Sequence, residues 1–309
     1  MSGPLGKMTR REQRTELLKH AKGWRRAPLE WARSRWATRH GGVRGPGPVD
    51  PAAPFADVEH YCMFIGYPRS SHSLIGSLLD AHPEVVIAHE QDALRHVRPW
   101  YTRDQLFHLL LDNSRRFTAA GRTWTGYSYA VPGQHQGTFT RLRVIGDKRG
   151  AQSNRRLMLR PPLLDHLRRM VEVPLRVVHV SRNPFDNIAT MAFRNNGERD
   201  DAVTEATLRE AARQYFALVE NAAQVRARLA GDEWLDVRVD AFVADPRPEL
   251  CRLCAFLGVE AGEAYLEACA SIVFASTRRT RERFDWSPEL IKDIQAEIAR
   301  FEFLSGYEF

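Results

Sequence analysis

Between Arg69 and Ser73 the chain reads Arg-Ser-Ser-His-Ser, which places a guanidinium and three hydroxyls within five residues. Charge-assisted donors of this kind suit a phosphate-like anion. They suit it best at the start of a helix, where the first backbone N–H groups lack internal partners and the dipole favours negative charge. The flanking residues predict that setting. An apolar, strand-like segment (Met63, Phe64, Ile65) ends at Gly66, and an amphipathic helix follows through Leu74, Ile75, Leu78 and Leu79. A nucleoside-triphosphate loop would read G-x-x-x-x-G-K-[S/T]. Gly66 and Ser73 fit that frame, but Ser71 replaces its second glycine and His72 its lysine. Without the lysine charge on the terminal phosphates, a kinase or ATPase is disfavoured. Ser71 would carry backbone strain if its position demands a positive φ.

Three further segments end strands with chemistry-bearing residues. In LRVVHVSRNPFDNIATM, a buried strand (Val177 to Val180) leads through Arg182-Asn183-Pro184 into a helix starting near Phe185. Arg182 offers a forked donor for a phosphate monoester, and Thr190 adds a hydroxyl from the helix. The plainer alternative is an Arg at a sheet edge and a Thr facing solvent. Glu90 follows the apolar run Val85-Val86-Ile87; on its own it reads equally as an acid at the start of a helical segment, Gln91 to Val97. Lys148 ends the apolar run Leu142, Val144, Ile145 and reads equally as a solvated strand-end lysine.

Taken together, these segments resemble the sulfotransferases that use 3′-phosphoadenosine 5′-phosphosulfate (PAPS). FIGYPRSSHSLIGSLLDAHP is similar to their P-[K/R]-S-G-[T/S]-[T/S] loop and helix, in the style of the tyrosylprotein and carbohydrate branch. The resemblance covers roughly residues 58 to 309, strongly in short windows and weakly between them. It implies that Arg69, Ser70, Ser71, His72 and Ser73 hold the phosphosulfate. Arg182 and Thr190 keep the family spacing for the 3′-phosphate. The run AlaSerThrArgArgThrArg from Ala275 to Arg281 resembles a loop that folds over the nucleotide, with Ser276, Arg278 and Arg279 as its contacts. Glu90 takes the place of a general base, while Lys148 and Arg69 stabilise the transferring sulfuryl group; no metal is needed. Cytosolic relatives continue K-T-H after the lysine and use that histidine as base. Gly150 stands there in this chain, which shifts the role to Glu90, with His89 and His72 as rivals. Val239 occupies a usual tyrosine position, putting an adenine contact there in doubt.

Positioning these residues takes an α/β frame. Strand candidates at 61–66, 84–88, 142–146, 175–181 and 234–239 alternate with helical patterns, the longest near 203–229. That alternation predicts a P-loop-like, mainly parallel sheet flanked by helices, with ligands outside the carboxyl ends of the strands. We expect one such domain at 59–309, preceded by a Gly/Pro-rich linker at 41–58 and a basic helical arm at 1–40. The arm carries 11 Lys or Arg against three Glu, a net +8, which leaves −1 for the rest of a chain whose formal charge is +7. Trp24, Trp31 and Trp36 interleave with its arginines. We expect the arm to pack on its own or a neighbouring catalytic domain; the competing reading lays it on an anionic membrane surface or an acidic partner. No nucleic-acid motif accompanies the charge. No apolar run approaches a bilayer span and no signal-peptide core is present, so a cytoplasmic, at most membrane-peripheral, protein is expected. Cys251 and Cys254 form a lone C-x-x-C on an apolar helix and are read as core packing.

The expected function is therefore PAPS-dependent sulfation of a hydroxyl on a small molecule, carbohydrate or lipid-like alcohol. A P-loop kinase and a non-catalytic nucleotide-binding scaffold are the alternatives. Trp100, Tyr101, Phe107, Phe117, Trp124, Tyr127 and Tyr129 make the region 96–140 aromatic enough to line an acceptor pocket or to form core.

Overall fold

Tyr61, Met63 and Ile65 alternate with Cys62 and Phe64 along the first strand, so the two sets face opposite sides of the sheet. Both sets are buried, which requires a helical layer on each face. The computed structural model describes residues 4–9, 11–13, 15, 53–98 and 101–309. Trp24, Trp31, Trp36 and most of the predicted arm and linker lie outside the described residues, as does Trp100.

In chain order the elements are β1 (His60–Gly66), α1 (His72–Leu79), β2 (Val85–Ala88), α2 (Arg103–Ala119), β3 (Thr123–Trp124) and β4 (Tyr127–Ser128). Then come β5 (Val144–Asp147), α3 (Gly150–Leu159), α4 (Leu163–Val171), β6 (Leu175–Ser181), α5 (Pro184–Asn195) and α6 (Glu205–Arg226). The chain finishes with β7 (Trp234–Arg238), α7 (Val239–Ala244), α8 (Pro246–Leu257), α9 (Glu263–Ala270) and α10 (Pro288–Ile298). The main sheet has the order β2-β5-β1-β6-β7, and every neighbouring pair is parallel. The chain leaves central β1 for β2 and β5 on one side, then crosses to β6 and β7 on the other. A crevice opens at such a switch point, at the carboxyl ends of the strands.

One face of the sheet packs Met63, Ile65, Val86 and Val177 against Leu106, Phe107 and Leu110 of α2, Leu157 of α3 and Ala222 and Val225 of α6. The other packs Phe64, Ile87, Val178 and Val237 against Leu74, Ile75 and Leu78 of α1 and Leu250, Leu253 and Leu257 of α8. Cys254 belongs to this second core, whereas its neighbour Cys251 is exposed. A third cluster joins α5, α6 and α10 and takes in Leu5. Near it Lys7 reaches Glu220 at 2.9 Å and Arg213 reaches Glu12 at 3.3 Å. The described start of the arm thus packs on its own catalytic domain. No described helix is long and apolar enough to cross a membrane.

The five predicted strands fall within one or two residues of their expected bounds. Asn183 caps α5: its Oδ1 accepts the Phe185 N–H at 3.0 Å, and Pro184 needs no amide partner. Val239 is buried at the start of α7 and packs in the core, so the usual tyrosine contact is not made from that position.

Candidate active site

The turn after β1 is held from below. Tyr67 is fully buried and its hydroxyl meets His179 Nε2 at 2.9 Å. Asn187 of α5 donates to the Pro68 carbonyl at 2.6 Å and to Ser70 Oγ at 3.0 Å. Ser71 caps α1 in the left-handed region, at φ 55° and ψ 21°. The position therefore does have the conformation that glycine adopts freely, and Ser71 carries the strain. Arg69, at φ 68°, shares it.

His72 differs most from expectation. Its ring turns inward against Gly66 and Gly150; a Cβ on Gly150 would lie 2.4 Å from its Nε2. Burial, with repulsion from Lys148 behind it, pushes its pKa down to about 3. His72 is therefore neutral and packs beneath the loop, and its side chain brings no cation to a phosphate. It also explains Gly150: the room a side chain would need there is taken by the imidazole.

Lys148 is 1% exposed, which rules out the solvated strand-end reading. Its stem passes so close to α1 that a Cβ on Gly76 would lie 2.6 Å from Lys148 Cβ. Its ammonium emerges between Ser73 Oγ at 2.7 Å and Glu90 Oε1 at 2.6 Å. Arg149 donates to the Glu90 carbonyl at 2.9 Å and faces its carboxylate at 3.4 Å. Burial works to raise the Glu90 pKa, but Lys148 and Arg149 outweigh it and hold the carboxyl at about 2.

The turn that carries Glu90 is strongly tied. Glu90 and Asp92 both have positive φ, 59° and 64°. Asp147 accepts the Gln91 N–H at 3.2 Å and the Ala93 N–H at 2.8 Å, while Arg156 grips Asp92 with both arms. Only a short 3-10 turn, Ala93–Arg95, follows, so Glu90 does not serve as the N-terminal acid of an α-helix. His89 is not directed into the cavity. It stacks on Phe117 at 3.8 Å between ring centres, and burial holds its pKa at about 3.

Arg182, 9% exposed, ends β6 beside the same loop. It donates to the Arg69 carbonyl at 3.5 Å and to the Arg278 carbonyl, with Asp186 at 4.0 Å. Thr190 donates to the Asp186 carbonyl one helical turn back at 2.7 Å and lines the cavity. The loop from Phe274 to Arg283 closes over this end, pinned by Arg281 to Asp186 at 2.6 Å and by Trp286 to the Arg281 carbonyl at 3.0 Å. Ser276, Arg278 and Arg279 stand on its rim.

Eleven of the twelve candidate residues, all but buried Lys148, line one cavity of about 1090 Å³. Eight arginines line it too, against Glu90 as the one carboxylate among the described lining residues. Sequence reasoning had passed over Arg149, Arg155, Arg194 and Arg283, which come from helix and loop positions without a motif of their own. It also missed Asn187, although its place inside the Arg182–Thr190 stretch marked it for inspection. The aromatic region divides: Tyr101 and Phe107 are buried, Phe117 backs His89, and Trp124, Tyr127 and Tyr129 reach the cavity.

Residues 63–263 match the model of the sulfotransferase family. No curated protein matches the chain. Among solved structures, a sulfotransferase from Mycobacterium avium aligns with a TM-score of 0.53 at 12% identity, over 94% of this chain and 86% of that one. A sulfotransferase domain from the curacin biosynthetic pathway aligns with a TM-score of 0.50 at 13% identity, over 79% of this chain and 98% of that one. At such identities the likeness speaks for the fold alone.

Proposed function

The chain belongs to the sulfotransferase family, and from that premise we propose that it transfers a sulfuryl group from PAPS to an acceptor hydroxyl. The observation that carries this reading is the junction at Lys148, where one ammonium is shared between the anion-binding loop (Ser73) and a cavity carboxylate (Glu90).

In this mechanism Arg69, the loop hydroxyls and the first N–H groups of α1 hold the phosphosulfate. Arg182, with Thr190 and the rim residues Ser276, Arg278 and Arg279, takes the 3′-phosphate. Glu90 accepts the acceptor's proton while the acceptor oxygen bonds to sulfur. The sulfur–oxygen bond to the phosphate breaks in line, and adenosine 3′,5′-bisphosphate leaves with the electron pair. A carboxyl held at about 2 is a poor base. Lys148 resolves this: drawn toward the phosphosulfate as charge develops there, it leaves Glu90 without the main partner that depresses its pKa. One motion thus stabilises the leaving group and makes the base stronger.

The residue at the P-loop lysine position, His72, is neutral and turned inward, so nothing there favours the kinase alternative. Calorimetric titration with adenosine 3′,5′-bisphosphate, AMP and ATP, with and without magnesium, tests the proposal. Binding that requires the 3′-phosphate and ignores magnesium is expected. A preference for magnesium-ATP, or no binding, would sink it.

A further inference from the structure

A line of hydrogen bonds crosses the sheet beneath the anion-binding turn. His179 of β6 pairs with Ile65 of β1 on one side and with Asp236 of β7 on the other. Tyr67 follows two residues after Ile65, so the three side chains meet on one face. The Tyr67 hydroxyl lies 2.9 Å from His179 Nε2, and His179 Nδ1 lies 2.7 Å from Asp236 Oδ1. Tyr67 and His179 are fully buried, while Asp236, on the edge strand, keeps 31% of its side chain exposed. Of the three, only Tyr67 lines the cavity.

Each proton in this chain has one place. Burial works to raise the Asp236 pKa, but its bonds to His179 and Trp234 outweigh it and hold the carboxyl below its ordinary value. Ionised, Asp236 can only accept: its Oδ1 takes the His179 Nδ1–H and, at 2.9 Å, the Trp234 indole N–H. Nε2 is then bare and accepts from Tyr67, whose hydroxyl has no other acceptor among the described residues. Burial pushes the Tyr67 pKa well above its ordinary value, so the hydroxyl keeps its hydrogen. Phe303 and Trp234 flank the imidazole, with ring centres 4.8 and 5.0 Å away, and hold its plane.

The turn above needs bracing. Arg69 and Ser71 stand at φ 68° and 55°, a left-handed setting that persists only where the surroundings over-determine it. Asn187 holds the Pro68 carbonyl from one side, and Tyr67 anchors the residue before it. A buried polar chain gains little stability over apolar side chains of the same volume; what it adds is a fixed direction. Building on the sulfotransferase reading, we propose that Asp236 is a positioning residue for the donor. Through His179 it fixes the Tyr67 hydroxyl, and thereby the turn 68–71 that sets Arg69 on the phosphosulfate. A carboxylate outside the cavity thus governs the 5′ end of the donor and leaves the 3′ end, held by Arg182, untouched.

The test is calorimetric titration of the full chain with adenosine 3′,5′-bisphosphate and with adenosine 3′-monophosphate, which lacks the group the turn holds. Asp236→Ala should weaken the bisphosphate about fivefold, the size expected for one lost hydrogen bond, and spare the monophosphate. Tyr67→Phe should do the same, and the double variant should lose no more than either single one, because both act through one chain. Asp236→Asn should keep the wild-type affinity, since its carbonyl oxygen still accepts the Nδ1–H. Equal losses for both nucleotides, additive losses in the double variant, or a loss in Asp236→Asn as large as in Asp236→Ala would each overturn the proposal. Should Asp236→Ala not fold, Tyr67→Phe decides by the same contrast: an unchanged bisphosphate affinity overturns it. Failure of the wild type to bind adenosine 3′,5′-bisphosphate would instead remove the sulfotransferase reading beneath it.

Discussion

The turns after β1 and β6 and the β3–β4 hairpin line the same cavity but are made in different ways. At the turns, a strand end and a helix start present backbone N–H groups, and a few side chains add charge to what the backbone already offers. At the hairpin, the backbone contributes a mount for Trp124, Tyr127 and Tyr129, fixed by an ion pair, Asp80–Arg122, that bridges 42 residues. An anion is recognised by local geometry and therefore by local sequence. An aromatic wall is a matter of shape, which tertiary packing assembles.

The sharpest way to break this contrast is at the point where the two regions meet. Lys148→Ala should lower kcat by roughly 10² to 10³, the loss expected when a donor aimed at developing charge is removed. Single-turnover rates at saturating donor check it, and a change confined to donor affinity would deny Lys148 its role in the chemical step. At the turns, Arg182→Ala should weaken adenosine 3′,5′-bisphosphate by about 2–4 kcal/mol and leave AMP nearly unaffected, because the phosphate it serves is absent from AMP. Equal losses for both nucleotides in calorimetry would assign Arg182 to the fold instead.

A smaller effect separates the Glu90 turn from both. Burial raises Asp147 to about 7 from an ordinary 3.8, while Glu90 stays ionised to about 2. The ionised Asp147 is the better acceptor for the Gln91 and Ala93 N–H groups, so kcat/KM should fall several-fold as pH drops through ~7. Stability should move the other way. The folded state binds more protons than the unfolded state between about 3.8 and 7, so Tm should fall as pH rises through that window. Asp147→Asn should remove both dependences; a pH profile that keeps its acid limb in this variant would place the titrating group elsewhere.

The smallest effect concerns strain. Ser71→Gly should raise stability by about 1 kcal/mol by relieving the left-handed conformation, read from urea unfolding, with nucleotide affinity little changed. A destabilised variant would mean that the hydroxyl does more than the φ angle suggests.

Much of this molecule was legible before any coordinate. Strand ends at Gly66, Ser181 and Asp147 follow from apolar runs that stop at polar or flexible residues. Arg69, Ser73, Glu90, Arg182 and Thr190 were placed by order and spacing and do line one cavity, with Lys148 buried behind Ser73 and Glu90. His72 was not legible: a histidine at a helix start can face out to an anion or in to the core, and only the two glycines facing its ring decide. Arg149, Arg155, Arg194 and Arg283 were equally hidden, since none of them sits in a motif of fixed spacing.

The sequence alone therefore determined the parallel sheet and the anion-binding turns, because both rest on periodicity and on contacts within a few residues. Tertiary structure decided the inward turn of His72, the sharing of Lys148 between Ser73 and Glu90, and the placing of Trp124 beside them. Those depend on distances across segments far apart in the chain, which only the packed core sets.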